Sequence, residues 1–297
     1  MRLKADLVLL VVAVLWGSAF AAQRAAGLLG SLYFFNGARF LVAGLILLPF
    51  AARSPITRVQ AWWTCAAGTI LFIASALQQA GLRNTTAGNA GFLTSLYVVI
   101  VPLVMLLGWK DRPHALSIVA VGLAALGAYL LSTSGRFHVY AGDMLELGGA
   151  AFWALHVSLL GKFASRYDAI SFSAGQLLVS STLNWVAGAL VERPVLPVPP
   201  VLVISILYTS LISVGLGYTL QIWGQKHTPP TDAAIILSLE AVFAALAGAI
   251  VLGERLEPIQ ALGCAIIVLA VVLSQAKAWG RIDTLRPSKP AAKGDVR

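Results

Sequence analysis

Long apolar runs, separated by short polar or charged segments, dominate the chain. Each run is about 20 residues long, the length an α-helix needs to cross the ~30 Å hydrocarbon core of a bilayer. Division at the turn and charge signals predicts ten spans. They cover residues 6–26, 31–50, 61–82, 87–108, 115–134, 142–162, 169–190, 201–224, 231–252 and 258–276. The pattern therefore predicts an all-α membrane protein with ten transmembrane helices embedded in the lipid bilayer.

Composition supports this prediction and excludes other classes. Hydrophobic residues make up 59% of the 297 and charged residues only 11%, against about 45–50% and about 25% in soluble domains. The net charge of +9 comes without a basic stripe interleaved with aromatic residues, so nucleic acid is not an expected partner. Cys65 and Cys264 lie inside apolar spans without metal-ligand spacing, and we interpret them as ordinary buried thiols. No metal or cofactor is expected.

The cations predict an orientation. Of the 21 Lys and Arg residues, fifteen fall on the face that carries both termini, five fall on the other face, and Arg39 lies within a span. The positive-inside rule then puts both termini in the cytoplasm, in a bacterial-type inner membrane. The first span also has features of a signal peptide, but a second span follows closely and the segment matches an internal repeat. The polar, Pro-containing tail, 280–297, is predicted to be disordered.

The chain resembles itself at two offsets. Asp6 and Trp16 reappear 137 residues later as Asp143 and Trp153, and the pattern from Leu77-Gln78 to Ser95-Leu96 reappears 143 residues later. The match predicts two repeats, 1–136 and 137–279, with five spans each. Because five is odd, the second repeat crosses the membrane in the opposite sense to the first. Such inverted repeats are typical of secondary transporters that work by alternating access.

Polar and aromatic side chains within the spans are few, and they concentrate on helices that the repeat relates. Unpaired polar groups in hydrocarbon cost several kcal/mol, so these side chains should face protein or a water-filled cavity. The candidate substrate-binding residues are Trp16, Gln78, Gln79, Asn89, Tyr97, Trp153, His156, Tyr218, Gln221 and Ser238. Any one of the polar residues can equally be an interhelical hydrogen-bonding group. Their distribution over both repeats, with two tryptophans at mid-span, favours a pathway.

Two charged residues lie deep in spans. Glu240 lies ~14 Å into span nine, where a carboxylate costs at least ~2.5 kcal/mol. It is either a proton carrier or counter-charge for a substrate ammonium, or a structural glutamate. Arg39 is interpreted as a structural anchor bonded to carbonyls or to an acid on another helix. Pro102 is expected to kink span four, whereas the aligned Ala245 leaves span nine straight.

The mixed aromatic and amide residues suit a zwitterion with an apolar side chain. An organic cation on aromatic ring faces is an open alternative. A polyanion would need several inward cations, and only Arg39 lies deep in a span.

Several motifs together resemble those of the EamA branch of the drug/metabolite transporter superfamily. They are Trp16-Gly17-Ser18-Ala19-Phe20, Ala38-Arg39-Phe40, Phe152-Trp153-Ala154-Leu155, Ser238-Leu239-Glu240-Ala241-Val242-Phe243 and Gly253-Glu254-Arg255-Leu256. The chain departs from the family pattern at Ala241, where proline is common, and at 109–112, where a Gly-Glu pair is usual. The resemblance implies two helical halves around a central cavity and a small-molecule substrate. It is nearest to bacterial exporters of neutral and aromatic amino acids.

Other functional classes have less support. His-Glu-x-x-His, Gly-x-Ser-x-Gly and paired catalytic aspartates are absent from the sequence, so no catalytic residue is assigned. A membrane sensor or scaffold would normally add a sizeable soluble domain, and the longest extramembrane segment is the tail. A monomer is compatible with these features. We predict a transporter of small amphipathic metabolites, with cationic drugs as alternative cargo.

Overall fold

The computed structural model describes residues 1–29, 31–51, 56–133, 141–253 and 255–280. Within them, nine helical segments are long and apolar enough to cross a membrane, and a tenth apolar helix, Ala115–Leu131, is slightly shorter in its described side chains. The α-helices are α1 (Arg2–Gly27), α2 (Leu32–Leu47), α3 (Arg58–Gly81), α4 (Ala87–Ser95), α5 (Tyr97–Trp109), α6 (Ala115–Thr133), α7 (Ala141–Lys162), α8 (Ala169–Val191), α9 (Pro200–Tyr208), α10 (Gly217–Gln225), α11 (Pro230–Leu237), α12 (Glu240–Leu252) and α13 (Pro258–Gly280).

These helices form ten spans in two inverted repeats of five, as predicted. Span four consists of α4 and α5, and span nine of α11 and α12. Span eight consists of α9, a π-helical segment at Thr209–Leu216, and α10. Each span begins and ends within a few residues of its predicted position. The predicted boundary between the repeats, at 136–137, and the predicted tail beyond Gly280 lie outside the described residues.

Spans four and nine are both interrupted near their middle. The α-helix breaks at Leu96 in span four and at Ser238 and Leu239 in span nine, positions that the repeat relates. Around both breaks the chain turns by shorter i to i−3 hydrogen bonds, from Leu96 N–H to Leu93 O and from Leu239 N–H to Ile236 O. Both interruptions lie away from Pro102 and Ala245, so the kink predicted at Pro102 stays a prediction. Pro102 lies inside the continuous helix α5, and the break depends on features common to both repeats.

A glycine on α1 lets this helix approach one of the broken spans closely. A Cβ at Gly17 of α1 would lie 2.6 Å from the Glu240 carbonyl oxygen and 2.9 Å from the Ala244 amide nitrogen of α12. Helix α1 therefore packs on the backbone of α12 just after its break.

Cys65, predicted to be buried, is instead exposed on α3, and Cys264 is partly buried; neither forms a disulfide.

Candidate functional site

A small cavity lies at the centre of the bundle, beside both helix breaks. Its volume is about 30 Å³, which holds about two water molecules. A solute as large as an amino acid fits only after the lining helices move apart. The lining residues come from both repeats: Trp16, Phe20, Gln23, Arg39, Gln78, Thr94, Tyr97, Trp153, Val157, Ser213, Val214, Tyr218 and Glu240.

Three aromatic rings form one wall of the cavity. The Tyr218 ring centroid lies 5.3 Å from that of Trp16 and 6.3 Å from that of Trp153, with the latter pair nearly parallel at 14°. Trp16 Nε1 donates to the Ser213 carbonyl oxygen at 3.0 Å. Ser213 belongs to the π-helical segment of span eight, and π-helical turns of this kind occur often at functional sites. The two tryptophans related by the repeat therefore meet on one tyrosine.

Opposite charges also line the cavity. Arg39 is buried, donates to Gln23 Oε1 at 2.7 Å, and lies over the rings of Phe35 and Phe40, with its Cζ 5.2 and 4.9 Å from their centroids. Its partner is thus a side-chain carbonyl, one of the two kinds of partner the sequence predicted. Glu240 is the first residue of α12, where the helix dipole favours a negative charge. Tyr218 lines the same cavity as both residues.

Glu240 and Tyr97 occupy repeat-related positions, 143 residues apart, each at the first residue after a helix break. The Tyr97 hydroxyl and the Glu240 carboxyl are neighbours that interact with each other. The inverted repeat therefore brings the two broken spans together at the cavity. A tyrosine comes from the first repeat and a glutamate from the second.

Several lining residues carry buried polar atoms with no hydrogen-bond partner among the described residues. These atoms are Arg39 Nε, Trp153 Nε1, and the neighbouring Tyr97 Oη and Glu240 Oε1, which do not meet in a hydrogen bond of normal geometry. A buried polar atom left without a partner costs ~1–3 kcal/mol. The set includes nitrogen donors and a carboxylate acceptor, so a ligand that both accepts and donates hydrogen bonds would satisfy it.

The structure brings seven of the predicted residues together in the cavity lining and places five elsewhere. Trp16, Gln78, Tyr97, Trp153, Tyr218, Arg39 and Glu240 line the cavity; Gln79, Asn89, His156, Gln221 and Ser238 do not. Gln79 donates to the Gln23 carbonyl oxygen at 2.8 Å, and the Ser238 hydroxyl donates to the Ile235 carbonyl oxygen at 2.7 Å. Both bonds hold backbone within the bundle.

The other three predicted residues lie near the cavity or at one end of the bundle. His156 packs edge-on against Tyr218, and its Nε2 forms a 2.9 Å hydrogen bond with Gln176 Oε1. Gln221 is fully buried behind the lining. Asn89 donates to Asp143 Oδ1 at 2.8 Å, far along α4 from Tyr97. Asn89 lines the pocket at the Asp143 end and Tyr97 lines the central cavity, because the eight residues between them span about 12 Å of helix.

Three residues near the site were not among the sequence candidates. Thr94 and Gln23 line the cavity, and Glu146 is a buried carboxylate that accepts a hydrogen bond from Thr94 at 3.2 Å. Glu146 lies only five residues beyond the start of α7, so hydropathy alone does not distinguish it from an interfacial acid. A comparison with its repeat partner, Leu9, would have singled it out.

Polar clusters close the bundle at two ends. At the Asp6 end, Asp6 accepts from Arg2 at 2.8 Å and from Thr228 at 2.9 Å, and Arg2 also binds Asp232 at 2.9 Å. At the Asp143 end, Asn89 donates to Asp143 and to Thr85.

A polar pocket adjoins each cluster. The pocket at the Asp6 end has a volume of about 260 Å³ and is lined by Asp232 and Arg112, among others. The pocket at the Asp143 end has a volume of about 240 Å³ and is lined by Asn89 and Arg255, among others. The lining pairs are related by the 143-residue offset, so the inverted repeat builds a similar mouth at each end of the bundle.

Comparison with known proteins relates this architecture to a family. The chain is 34% identical over 276 residues to an uncharacterized transporter of Archaeoglobus fulgidus, covering 92% of this chain and 86% of the relative. It is 30% identical over 172 residues to the threonine/homoserine exporter RhtA of Escherichia coli (strain K12), covering 57% of each chain. A solved crystal structure shares the fold with a TM-score of 0.77 at 18% identity, covering 95% of this chain and 99% of that chain.

The sequence profile of the EamA-like transporter family matches residues 3–133 and again residues 140–275. Each match covers five of the ten spans, in agreement with the repeat architecture. The family implies a small-molecule substrate and a multi-pass position in the membrane. The chain belongs to the EamA-like transporter family.

Proposed function

We propose that this transporter exports neutral amino acids, aromatic ones among them, from the cytoplasm by alternating access. In this proposal the Asp6 end faces the cytoplasm of a bacterial-type inner membrane, with both termini inside. The distribution of Lys and Arg residues in the sequence supports this orientation. The two repeats, 1–136 and 137–279, are the functional halves.

One observation carries the choice of substrate. Buried polar atoms without partners flank an aromatic wall in the central cavity: Arg39 Nε and Trp153 Nε1 as donors, and Glu240 Oε1 as an acceptor. A carboxylate pairs with a guanidinium and an ammonium with a carboxylate, so the two charges of an amino acid match Arg39 and Glu240. Trp16, Trp153 and Tyr218 then offer apolar and aromatic surface to its side chain.

The relative named as a threonine/homoserine exporter supports amino acids as the substrate class. The aromatic wall favours larger side chains than threonine. We therefore propose a substrate range that extends from small neutral to aromatic amino acids.

The cavity size supports alternating access. Room for about two water molecules fits an occluded form in which both polar clusters are closed. Export then requires the Asp6 end to open, the substrate to displace water from Arg39 and Glu240, and the Asp143 end to open in turn. Residues of both repeats contribute to each cluster, so movement of one repeat against the other opens either end.

The test is transport by the purified protein in liposomes. Labelled threonine, leucine, phenylalanine and tryptophan are loaded inside or outside, with and without a pH gradient. We expect saturable flux of at least one of them, inhibited by the unlabelled compound. Absence of flux for the whole panel, in vesicles where the protein is folded by size-exclusion and thermal-melt criteria, would contradict the proposal.

Organic cations are the second candidate, because the same aromatic wall and Glu240 can bind a cation that lacks a carboxylate. The variant Arg39→Gln separates the two. If amino acids are the substrates, Arg39→Gln removes the partner of their carboxylate and lowers uptake at least about tenfold. If organic cations are the substrates, it leaves uptake unchanged or raises it. Arg193→Gln, at an exposed cation beyond the end of α8, is the matched control.

A further inference from the structure

A buried carboxylate, Glu146, lies between the central cavity and the Asp143 end. It is only 1% exposed, and one of its oxygens, Oε1, has no hydrogen-bond partner among the described residues. Its other oxygen accepts a hydrogen bond from the Thr94 hydroxyl at 3.2 Å. Thr94 in turn accepts from Gln78 Nε2 at 3.0 Å. Both Thr94 and Gln78 line the central cavity, so a single side chain, that of Thr94, separates Glu146 from it.

Comparison of the repeats indicates that packing does not require this carboxylate. The repeat partner of Glu146 is Leu9, at an offset of 137, and both side chains pack on a repeat-related glycine. A Cβ at Gly81 would lie 2.6 Å from Glu146 Cγ, and one at Gly224 would lie 2.8 Å from Leu9 Cγ. The same niche therefore holds an apolar side chain in one half and an acid in the other. A carboxylate inside a membrane protein is costly and is usually functional.

The hydrogen-bond partners of Glu146 follow the same asymmetry. At the offset of 143, Leu237 corresponds to Thr94 and Gln221 corresponds to Gln78. Because Leu237 has no hydroxyl, Gln221 lacks the hydrogen-bond acceptor that Thr94 offers to Gln78. Both amide atoms of Gln221 are without hydrogen-bond partners among the described residues. The symmetry-related site towards the Asp6 end thus lacks both the hydroxyl, at Leu237, and the acid, at Leu9. The chain of hydrogen bonds from Glu146 to the cavity therefore exists on the Asp143 side of the cavity and has no counterpart on the Asp6 side.

A polar route also connects Glu146 to the Asp143 end. Asp143 lies one helical turn before Glu146 on α7, and the two acids interact electrostatically. Asp143 also accepts a hydrogen bond from Asn89. Asn89 lines the pocket at that end. The titratable groups that face Glu146 are Asp143 on its own helix and Glu240 on α12; α3 and α4 present Gln78 and Thr94. Two arginines also lie at the Asp143 end: Arg24 in the last turn of α1, and Arg83 two residues beyond the end of α3.

We propose that Glu146 is a proton-binding residue of the transport cycle, which couples proton uptake from the Asp143 end to the central cavity through Thr94. This inference rests on the proposed function, because it assigns a role within substrate transport. A proton from the outer solution binds a Glu146 oxygen. The resulting carboxyl O–H donates to Thr94 Oγ1, and the Thr94 hydroxyl hydrogen, no longer needed by Glu146, turns towards the cavity. Protonation at Glu146 thereby changes the hydrogen-bond donors that the substrate meets.

Transport in liposomes tests the coupling. With a pH gradient of one unit, one-for-one exchange against protons drives up to about tenfold accumulation. We expect Glu146→Gln to reduce this ratio to about one while exchange of labelled for unlabelled amino acid continues. We expect Thr94→Val to reduce it as well. Glu257→Gln, at an exposed acid near the start of α13, should keep the ratio of the unaltered protein. A full ratio in Glu146→Gln, or no proton dependence in the unaltered protein, would overturn the proposal.

Infrared difference spectroscopy tests protonation without a substrate. A carboxylic-acid C=O band should appear on acidification and should be absent from Glu146→Gln, but present in Thr94→Val and Glu257→Gln. A band unchanged in Glu146→Gln overturns the proposal. If no amino acid is transported but the Glu146 band is observed, the proposed substrate is wrong and Glu146 still binds protons. The two failures are therefore distinguishable.

Discussion

The two ends of the bundle are built from the same repeat and closed by different chemistry. At the Asp6 end, Arg2 joins Asp6 and Asp232 through ionic hydrogen bonds of 2.8 and 2.9 Å. At the Asp143 end, the position of Asp232 is taken by Asn89, which donates to Asp143 at 2.8 Å. The position of Thr228 is taken by Thr85. Two differences between the repeats, Asp232 against Asn89 and Arg2 against Val139, thus separate an end in which Arg2 bridges two acids from one in which an amide donates to an acid.

This difference makes the two ends of the inverted repeat unequal in stability. A symmetric scaffold would leave the two ends equally stable when closed. Hydrogen bonds to charged groups are worth about 1.5–3 kcal/mol each. In the proposed alternating-access cycle, the number and charge of the groups at each end therefore shift the balance between states open to either side. Glu146 against Leu9 adds a second asymmetry, deeper in the same pathway.

The largest expected effect is from Asn89→Asp. It places a second carboxylate against Asp143 and removes the amide donor, which should destabilise the closed Asp143 end by about 3 kcal/mol. A cysteine introduced by Thr86→Cys, after replacement of both native cysteines, should then react much faster with a membrane-impermeant maleimide. Acidification should reverse the effect, because protonating one carboxylate restores a shared hydrogen bond. Unchanged labelling would show that this contact does not hold the end closed.

Arg2→Gln should have the next largest effect, at the other end. It leaves Asp6 and Asp232 close together without their cation, at a cost of about 2 kcal/mol because the pair is partly exposed. Labelling at Thr231→Cys, in the pocket of the Asp6 end, should rise while labelling at Thr86→Cys does not. Equal increases at both sites would indicate general unfolding.

Glu146→Leu should have a smaller effect, in the opposite direction. It gives α7 the residue that α1 carries at Leu9, in the same niche on a glycine, and it removes a buried acid. We expect stabilisation by about 1 kcal/mol, measured as a higher melting temperature of the purified protein. The matched control is Glu257→Gln, which should leave the melting temperature unchanged. A lower melting temperature for Glu146→Leu would mean that the acid contributes to packing.

Asp232→Asn should have the smallest effect. It gives the Asp6 end the amide of the Asp143 end, while Arg2 keeps its contact with Asp6. The loss of one partly exposed ion pair should cost about 0.5 kcal/mol. Labelling at Thr231→Cys should increase less than in Arg2→Gln. A larger increase than in Arg2→Gln would assign the closing role to Asp232 rather than to Arg2.

The fold was largely predictable from the sequence because lipid imposes a simple constraint. Backbone groups in the bilayer must be satisfied within helices, so hydropathy finds the spans, and an odd number of spans per repeat makes the repeats inverted. Trp16 and Trp153 could be identified as cavity residues because mid-span tryptophans related by a repeat are unusual. Glu240 and Arg39 could be identified because charges inside spans are rare.

Tertiary structure decided which polar residues meet. Asn89 belongs to the pocket at the Asp143 end and Tyr97 to the central cavity, although both lie on span four. Gln79 and Ser238 bind backbone carbonyls, a choice that depends on which carbonyl lies within reach. The sequence by itself determined the ten spans, the repeat and the residue types at the centre. Only packing decided that Glu146 reaches the cavity through Thr94, because a contact between helices depends on crossing geometry that periodicity does not encode.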